Sequence, residues 1–269
     1  MDFLQFVKDN LNRASEIAMG NFGRVSSTVK GKDANAVLTE TDLKIGKMIV
    51  ENIKRNYPNH SIIDEEVGVV DNTSTFTWII DPIDGTSNYA VGLPFFGTQI
   101  VLLEDNIPIV GGINLPYFKE IYLSEKGKGT SCNGKQVHVT EEKRLLSSLI
   151  FYGIDSHLED VEFTNREIKV LGKIVNSIRN LRSTNSCYDG MMVAKGKVGG
   201  YLNQSMRIWD IAPLQIVVEE AGGVVTDFYG QKLDYKNHLK ESNDNFTICA
   251  APPILHSELQ KIIHDSNTV

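Results

Sequence analysis

Apolar side chains at Phe3, Leu4, Val7, Leu11, Ala14, Ile17 and Ala18 recur at the three- and four-residue spacing of a helix with one buried face. Gly20 and Gly23 end that pattern. The same periodicity through Leu43, Ile45, Met48, Ile49 and Ile53 predicts a second helix, capped by Thr41 or Asp42 and closing before Pro58. Between them lies a polar, hairpin-like stretch around Val29 to Asp33. The period then shortens. Ser61 to Ile63 and Trp78 to Ile80 are short apolar runs, and Gly97 to Glu104, Ile107 to Asn114 and Glu120 to Leu123 are β-rich segments separated by polar breaks. Asn133-Gly134 marks a tight turn. Strands joined by such short links pair antiparallel, so this part predicts two helices on a meandering sheet.

Near Ser147 the pattern changes to strands alternating with helices. Ser148 to Tyr152 reads as a strand, Glu167 to Ile178 as a helix, Cys187 to Lys195 as a short helix, and Gly199 to Leu202 as a strand. A helix opens at Ile208-Trp209-Asp210, with Pro213 in its first turn, and stops at Gly222-Gly223. Val224 to Asp227 and Phe246 to Ala250 are strands, and His256 to His264 a closing helix. The expected organisation is an α+β half over residues 1–146, with an antiparallel sheet, and an α/β half over residues 147–269.

Composition narrows the function. With 269 residues and 41% hydrophobic content the chain can bury a proper core. A net charge of −7 and a pI near 5.4 give no footprint for nucleic acid or an anionic membrane surface. No apolar run approaches bilayer length and no targeting segment opens the chain, so a cytoplasmic protein is expected. Cys132, Cys187 and Cys249 are widely spaced and odd in number, which suggests buried free thiols and neither a disulfide framework nor a zinc site.

The chemistry concentrates where apolar runs end in acids. Trp78-Ile79-Ile80 runs into Asp81-Pro82-Ile83-Asp84-Gly85-Thr86, and Ser61-Ile62-Ile63 into Asp64-Glu65-Glu66. Asp210 sits at a helix start. Singly, each has a bland role: Asp42 as a helix cap, the acidic triplet as a solvated turn. Together, Glu65, Asp81, Asp84 and Asp210 form a recurrence that points to a hard divalent cation, because several buried carboxylates without cations cost several kcal/mol each. Gly85-Thr86 offers backbone N–H groups to an anion. The expected chemistry is Mg²⁺-assisted attack of water on a phosphate, with Thr86, oriented by Asp42, positioning that water. The spacing differs from the Asp-x-Asp-x-Thr of haloacid-dehalogenase phosphatases, which argues against a phospho-aspartate route.

Asp81 to Thr86, with Trp209-Asp210-Ile211-Ala212 and Glu219-Glu220-Ala221-Gly222-Gly223, resembles the paired signatures of the inositol monophosphatase family. The resemblance implies a layered αβαβα sandwich of the inositol monophosphatase and fructose-1,6-bisphosphatase type, two or three Mg²⁺ ions, lithium sensitivity and a homodimer. By it, Glu65, Asp81 and the Ile83 carbonyl hold one ion, Asp81, Asp84 and Asp210 a second, and a third stands near Glu65 through water. It assigns Asp42, Thr86 and Glu65 to catalysis, Gly85, Thr86 and Ser87 to the phosphate, Asn203 and Arg207 to the substrate, and Lys30 to a mobile loop. The expected substrate is a small phosphorylated polyol, inositol monophosphate first, with histidinol phosphate and fructose 1,6-bisphosphate as rivals. A regulatory member that binds a protein partner is the alternative of another class. Departures fall on the substrate side: Asp64 where glycine is common, Asn203 where inositol-specific members carry glutamate, and Ser183 to Cys187 without the usual Gly-Ser/Thr-Ala-Ala. Gly92 to Thr98 and Thr226-Asp227 resemble histidinol-phosphate phosphatases of the same superfamily.

Overall fold

A computed structural model of the chain describes residues 2–24, 27–29, 37–155 and 160–266. The elements in chain order begin with α1 (Phe3–Asn21), β1 (Ser27–Val29), β2 (Val37–Thr39), α2 (Glu40–Asn56), β3 (Ser61–Asp64), β4 (Gly68–Val70), β5 (Phe76–Asp84) and α3 (Thr86–Ala90). The meander follows as β6 (Gly97–Glu104), β7 (Ile107–Leu115), β8 (Glu120–Glu125), β9 (Gly129–Cys132) and β10 (Lys135–Val137). Then come β11 (Leu149–Gly153), α4 (Val161–Val175), β12 (Asn180–Arg182), α5 (Cys187–Ala194), β13 (Gly200–Met206), α6 (Ile208–Glu220), β14 (Val224–Thr226), β15 (Phe246–Ala251) and α7 (Pro253–Ser266).

Two sheets carry the architecture. One has eight strands in the order β10-β9-β8-β7-β6-β5-β3-β4, and the other five in the order β12-β11-β13-β15-β14. In the larger sheet only β3 and β5 run parallel.

Side-chain alternation along the strands explains the layering. On β5 and β6, Trp78, Ile80, Ile100 and Leu102 point to α1 and α2, where they meet Val7, Leu11, Ile45, Ile49 and Ile53. Their neighbours Ile79, Val101 and Leu103 point the other way, to Met191 of α5 and to Ile211, Leu214 and Val217 of α6. That middle layer also receives Phe151, Tyr201 and Ile248 from the smaller sheet. The opposite face of the smaller sheet, with Ile150, Tyr152 and Leu202, packs on Val170 and Ile174 of α4 and on Leu255, Leu259 and Ile263 of α7. The result is an αβαβα sandwich. It also explains why α6 is apolar nearly all round: a helix between two sheets has no face left for water.

Local differences from the expectations have local causes. The second helix starts at Glu40, because Thr39 is its N-cap and Asp42, at the third helical position, accepts the Thr39 backbone N–H at 3.0 Å in a capping box. α4 starts at Val161, six residues before the periodic signal, because Asp160 accepts the Phe163 N–H at 2.9 Å and caps it there. α7 likewise starts at Pro253, ahead of His256. Pro213 is not in the first turn of α6 but is its sixth residue, inside the helix, where it has no N–H for the carbonyl one turn back. Asp64 is not part of a solvated turn. It is 1% exposed, and its Oδ1 accepts the N–H groups of Glu66 and Val67 at 2.9 and 2.7 Å, turning the chain on itself. All three cysteines are free, Cys187 and Cys249 buried and Cys132 half-buried. Among the described residues no helix is long and apolar enough to cross a membrane.

Gly97 is crowded both within its sheet and against the next layer. A Cβ there would stand 2.1 Å from the Asn114 carbonyl oxygen on β7 and 2.7 Å from Cys187 Sγ on α5. Backbone cannot yield as a side-chain tip can, so Gly97→Ala is expected to lower stability by about 1–3 kcal/mol or more. Denaturant midpoints for the variant and wild type check this, and equal midpoints would refute it.

Candidate active site

Strand alternation puts Asp81 on the same face of β5 as Ile79, toward the middle layer and the start of α6. There Asp210, the third residue of α6, accepts the Arg207 backbone N–H at 2.6 Å and so caps its own helix. Between Asp81 and Asp84 the β5–β6 ladder slips register, and this break turns Asp84 toward the same point. Ligand oxygens of Asp81, Asp84 and Asp210 all lie within 4.8 Å of one another. Gly85 follows with φ of +82°, and a Cβ there would meet the Phe95 carbonyl oxygen at 2.7 Å, so glycine is required on both counts.

These acids line one open cleft with about 230 Å³ of space, along with Glu65, Ile83, Gly85, Thr86 and Ser87. Thr86 Oγ is 2.7 Å from the Ile83 carbonyl oxygen and 3.1 Å from Asp42 Oδ1. A single hydroxyl proton serves one of these at a time, so the bond to Asp42 is complete only when Asp42 is protonated or the Ile83 carbonyl is engaged elsewhere. Asp42 is thus both a capping residue and a neighbour of the cleft, although it does not line it. Arg207 is the N-cap of α6 and stands outside the lining. Asn203 lines the cleft and is tied locally, donating to the Tyr201 hydroxyl at 3.2 Å and accepting the Ser205 N–H at 2.8 Å. Gln204 points elsewhere and donates to the Tyr152 hydroxyl at 2.9 Å. Lys30 lies outside the described residues.

Sequence reading missed the far wall of the cleft: Asp155, Asn185, Ser186, Tyr201, Ser205 and Met206. Asn185 joins that wall together, donating to the Ile154 carbonyl at 2.8 Å and to Asp155 Oδ1 at 2.7 Å. Only the positive φ of Asn185, an asparagine-tolerant conformation, hints at this from residue type.

Electrostatics test whether a cation fits. Burial, then repulsion from Glu65, Asp84 and Asp210, pushes the Asp81 carboxyl well above the usual range. Burial likewise raises Asp84 to about 7 against the pull of the Cys187 N–H, and raises Asp210 to about 7 with repulsion from Asp84 added. Burial also raises Asp42, against its bonds to Thr39 and Thr86. Asp81 Oδ1 is buried with no hydrogen-bond partner. Crowded all-oxygen donors with an orphaned lone pair fit a hard divalent cation.

The fold and this cleft define a class: a layered α/β protein with a cluster of carboxylates where strand ends meet a helix start. A model of the inositol monophosphatase family matches residues 2–267, and the chain belongs to that family, which is generally metal-dependent. It is 32% identical over 266 residues to a fructose-1,6-bisphosphatase/inositol-1-monophosphatase of Thermotoga maritima, covering 98% of this chain and 97% of the relative. It is 33% identical to inositol monophosphatase 1 of Solanum lycopersicum, over 90% and 93% of the two chains, and 30% identical to the Nus factor SuhB of Haemophilus influenzae, over 93% and 91%. Among solved structures, a Thermotoga maritima IMPase superposes with a TM-score of 0.85 at 28% identity, covering 99% and 98% of the chains.

The raised carboxyls make stability depend on pH in a defined direction. Between the ordinary value of 3.8 and about 7, Asp84 and Asp210 hold more protons folded than unfolded. Their contribution is therefore complete below that window and is lost as pH rises through it. The thermal midpoint of the metal-free protein should fall less steeply with rising pH in Asp210→Asn than in wild type, and a saturating divalent cation should reduce the wild-type slope. Parallel slopes for all three would refute the assignment.

Proposed function

We propose that the chain is a Mg²⁺-dependent phosphomonoesterase that hydrolyses a small phosphorylated polyol, with inositol monophosphate as the first choice of substrate. The convergence of Asp81, Asp84 and Asp210 within 4.8 Å supports this most directly. Glu65, Asp81 and the Ile83 carbonyl would hold one ion, and Asp81, Asp84 and Asp210 another. When bound, Mg²⁺ supplies positive charge for the phosphate oxygens and the acidity that makes water a nucleophile at neutral pH.

The chain's own groups then divide the work. Gly85, Thr86 and Ser87 lie at the mouth of the cleft beside the acids, and the N–H groups of Gly85 and Thr86 orient the phosphate. Thr86, bonded to Asp42, orients the attacking water and passes its proton toward the Asp42 carboxyl, whose raised proton affinity suits it to accept. Water oxygen bonds to phosphorus as the P–O ester bond breaks, and the departing oxygen takes up a proton from solvent water. The products are the free alcohol and inorganic phosphate. Asn203 and the wall formed by Asp155, Asn185 and Ser205 face the alcohol, a group without a second phosphate, since the described lining holds no lysine or arginine. This favours monophosphates such as inositol phosphate or histidinol phosphate over fructose 1,6-bisphosphate.

Phosphate release measured with and without Mg²⁺ tests the reading. Asp84→Asn is expected to lose about 10²-fold or more in kcat, since several kcal/mol of charge stabilisation go and each 1.4 kcal/mol is tenfold. Activity indifferent to both changes would sink it. A kcat/KM panel over the three candidate substrates ranks them, and a preference for the bisphosphate would refute the reading of the far wall.

The relatives named Nus factor SuhB support a second reading, a regulatory protein that binds a macromolecular partner. A stoichiometric partner that co-purifies equally with wild type and Asp84→Asn would favour it.

A further inference from the structure

Asp84 is the first residue of β5 paired after the register break, opposite Gly97, and its side chain is held from outside the ladder. Two outside groups hold it. Its Oδ1 accepts the backbone N–H of Cys187, the first residue of α5. Ser186, at the N-cap of α5, makes no side-chain capping bond, so the carboxylate of Asp84 takes the place of that cap from another strand. Its Oδ2 accepts from Gln99 Nε2 at 2.9 Å.

Gln99 is an unusual residue for its position. It is fully buried, stands opposite Asp81 in the ladder, and shares its sheet face with Val101 and Leu103, which point into the apolar middle layer. An apolar side chain would pack on that face with no polar group to satisfy. The amide makes one side-chain hydrogen bond among the described residues, to Asp84, while its Oε1 is buried without a partner. Leaving Oε1 unpaired is unfavourable, and the bond to a carboxylate acceptor offsets that cost. Turning the amide over would set Oε1 against the carboxylate and lose that bond. Asp84 therefore dictates how Gln99 is oriented, and Gln99 in turn fixes Asp84. Each carboxylate oxygen still has a second lone pair.

We infer that Gln99 is a positioning residue for the metal site: its side-chain amide and the first N–H of α5 together clamp the Asp84 carboxylate in the orientation that receives a divalent cation. The inference rests on the metal reading above and adds a residue that none of the signature motifs contains. Without the amide, Asp84 is held at one oxygen and must be ordered by the cation itself, so affinity falls while the fold persists.

Calorimetric titration of the metal-free protein with Mg²⁺ and with Mn²⁺, with no substrate present, tests this. Gln99→Met keeps length and shape but has no donor, and its dissociation constants should rise about 10–100-fold, as for other groups that orient metal ligands. Its metal-free thermal midpoint should stay close to that of wild type, because the unpaired buried acceptor is lost together with the bond to Asp84. Gln99→His, which returns an N–H at similar reach, should recover part of the affinity. In turnover assays the Mg²⁺ activation constant should shift more than kcat at saturating Mg²⁺.

Wild-type affinity in Gln99→Met overturns the inference, as does a loss of affinity matched by an equal loss of metal-free stability. Should the variant not fold, the Gln99 side-chain amide resonance in ¹⁵N-labelled wild type decides: it should move on saturation with Mg²⁺, and an unchanged resonance overturns the clamp. A wild-type protein that binds neither ion saturably would instead refute the metal reading itself.

Discussion

Three aspartates whose oxygens lie within 4.8 Å of one another repel, and the molecule is built to hold them there. Burial raises all three, with repulsion from neighbouring carboxylates added at each, so in the absence of cations protons must supply part of the compensation. Each acid is also anchored by its own element. Asp81 is fixed by the ladder of β5, Asp210 by the helix it caps, and Asp84 by Gln99 and the start of α5. A preorganised set of repelling carboxylates is a poor structural device and a good cation site, since the ion relieves repulsion that the fold has already accepted.

The five layers make this arrangement possible. α6 is buried between two sheets, and its start, like that of α5, meets the strand ends of the first half. Packing of Ile211, Leu214 and Val217 against Ile79 and Val101 sets the distance from Asp210 to Asp81. Gly97 and Gly85 allow the close approach on the other side, where β6 and the turn after Asp84 touch α5 and the loop before it. Core packing and site geometry are thus one problem here, because one helix of the middle layer carries Asp210 and the other is capped by Asp84.

The cleft has two ends of different character. The acidic end is shared by three segments with strong local signatures. The other end is an assembly of Asp155, Asn185, Tyr201, Asn203 and Ser205, drawn from the segment after β11, the loop before α5, and β13. Its polarity is that of amides, hydroxyls and one carboxylate tied through Asn185. Relatives named as phosphatases and relatives named as Nus factors both resemble the chain along most of its length, so overall similarity does not separate these roles. The chemistry of the far wall bears on substrate choice directly.

Much of this was legible in the residues. Alternation along Trp78 to Ile80 and helical spacing in α1 and α2 follow from local periodicity, and the acids after Ile63 and Ile80 stand out because charges rarely end buried apolar runs. Asn133-Gly134 does form a tight turn, with φ of 50° and 78°. Boundaries set by caps were less visible: Thr39 and Asp160 begin helices ahead of the apolar pattern, because a cap acts through one hydrogen bond and leaves no period. Hidden altogether were Gln99 and Asn185. Gln99 belongs to no motif and Asn185 stands where the family motif is lost, and each matters through a distant partner, Asp84 15 residues from Gln99 and Asp155 30 residues from Asn185. The sequence by itself determined the kinds of element and the acidic ligands, since both depend on near neighbours in the chain. Only the tertiary structure decided how those ligands are aimed and what faces the leaving alcohol, because hydrogen bonds between distant segments form only once the layers are packed.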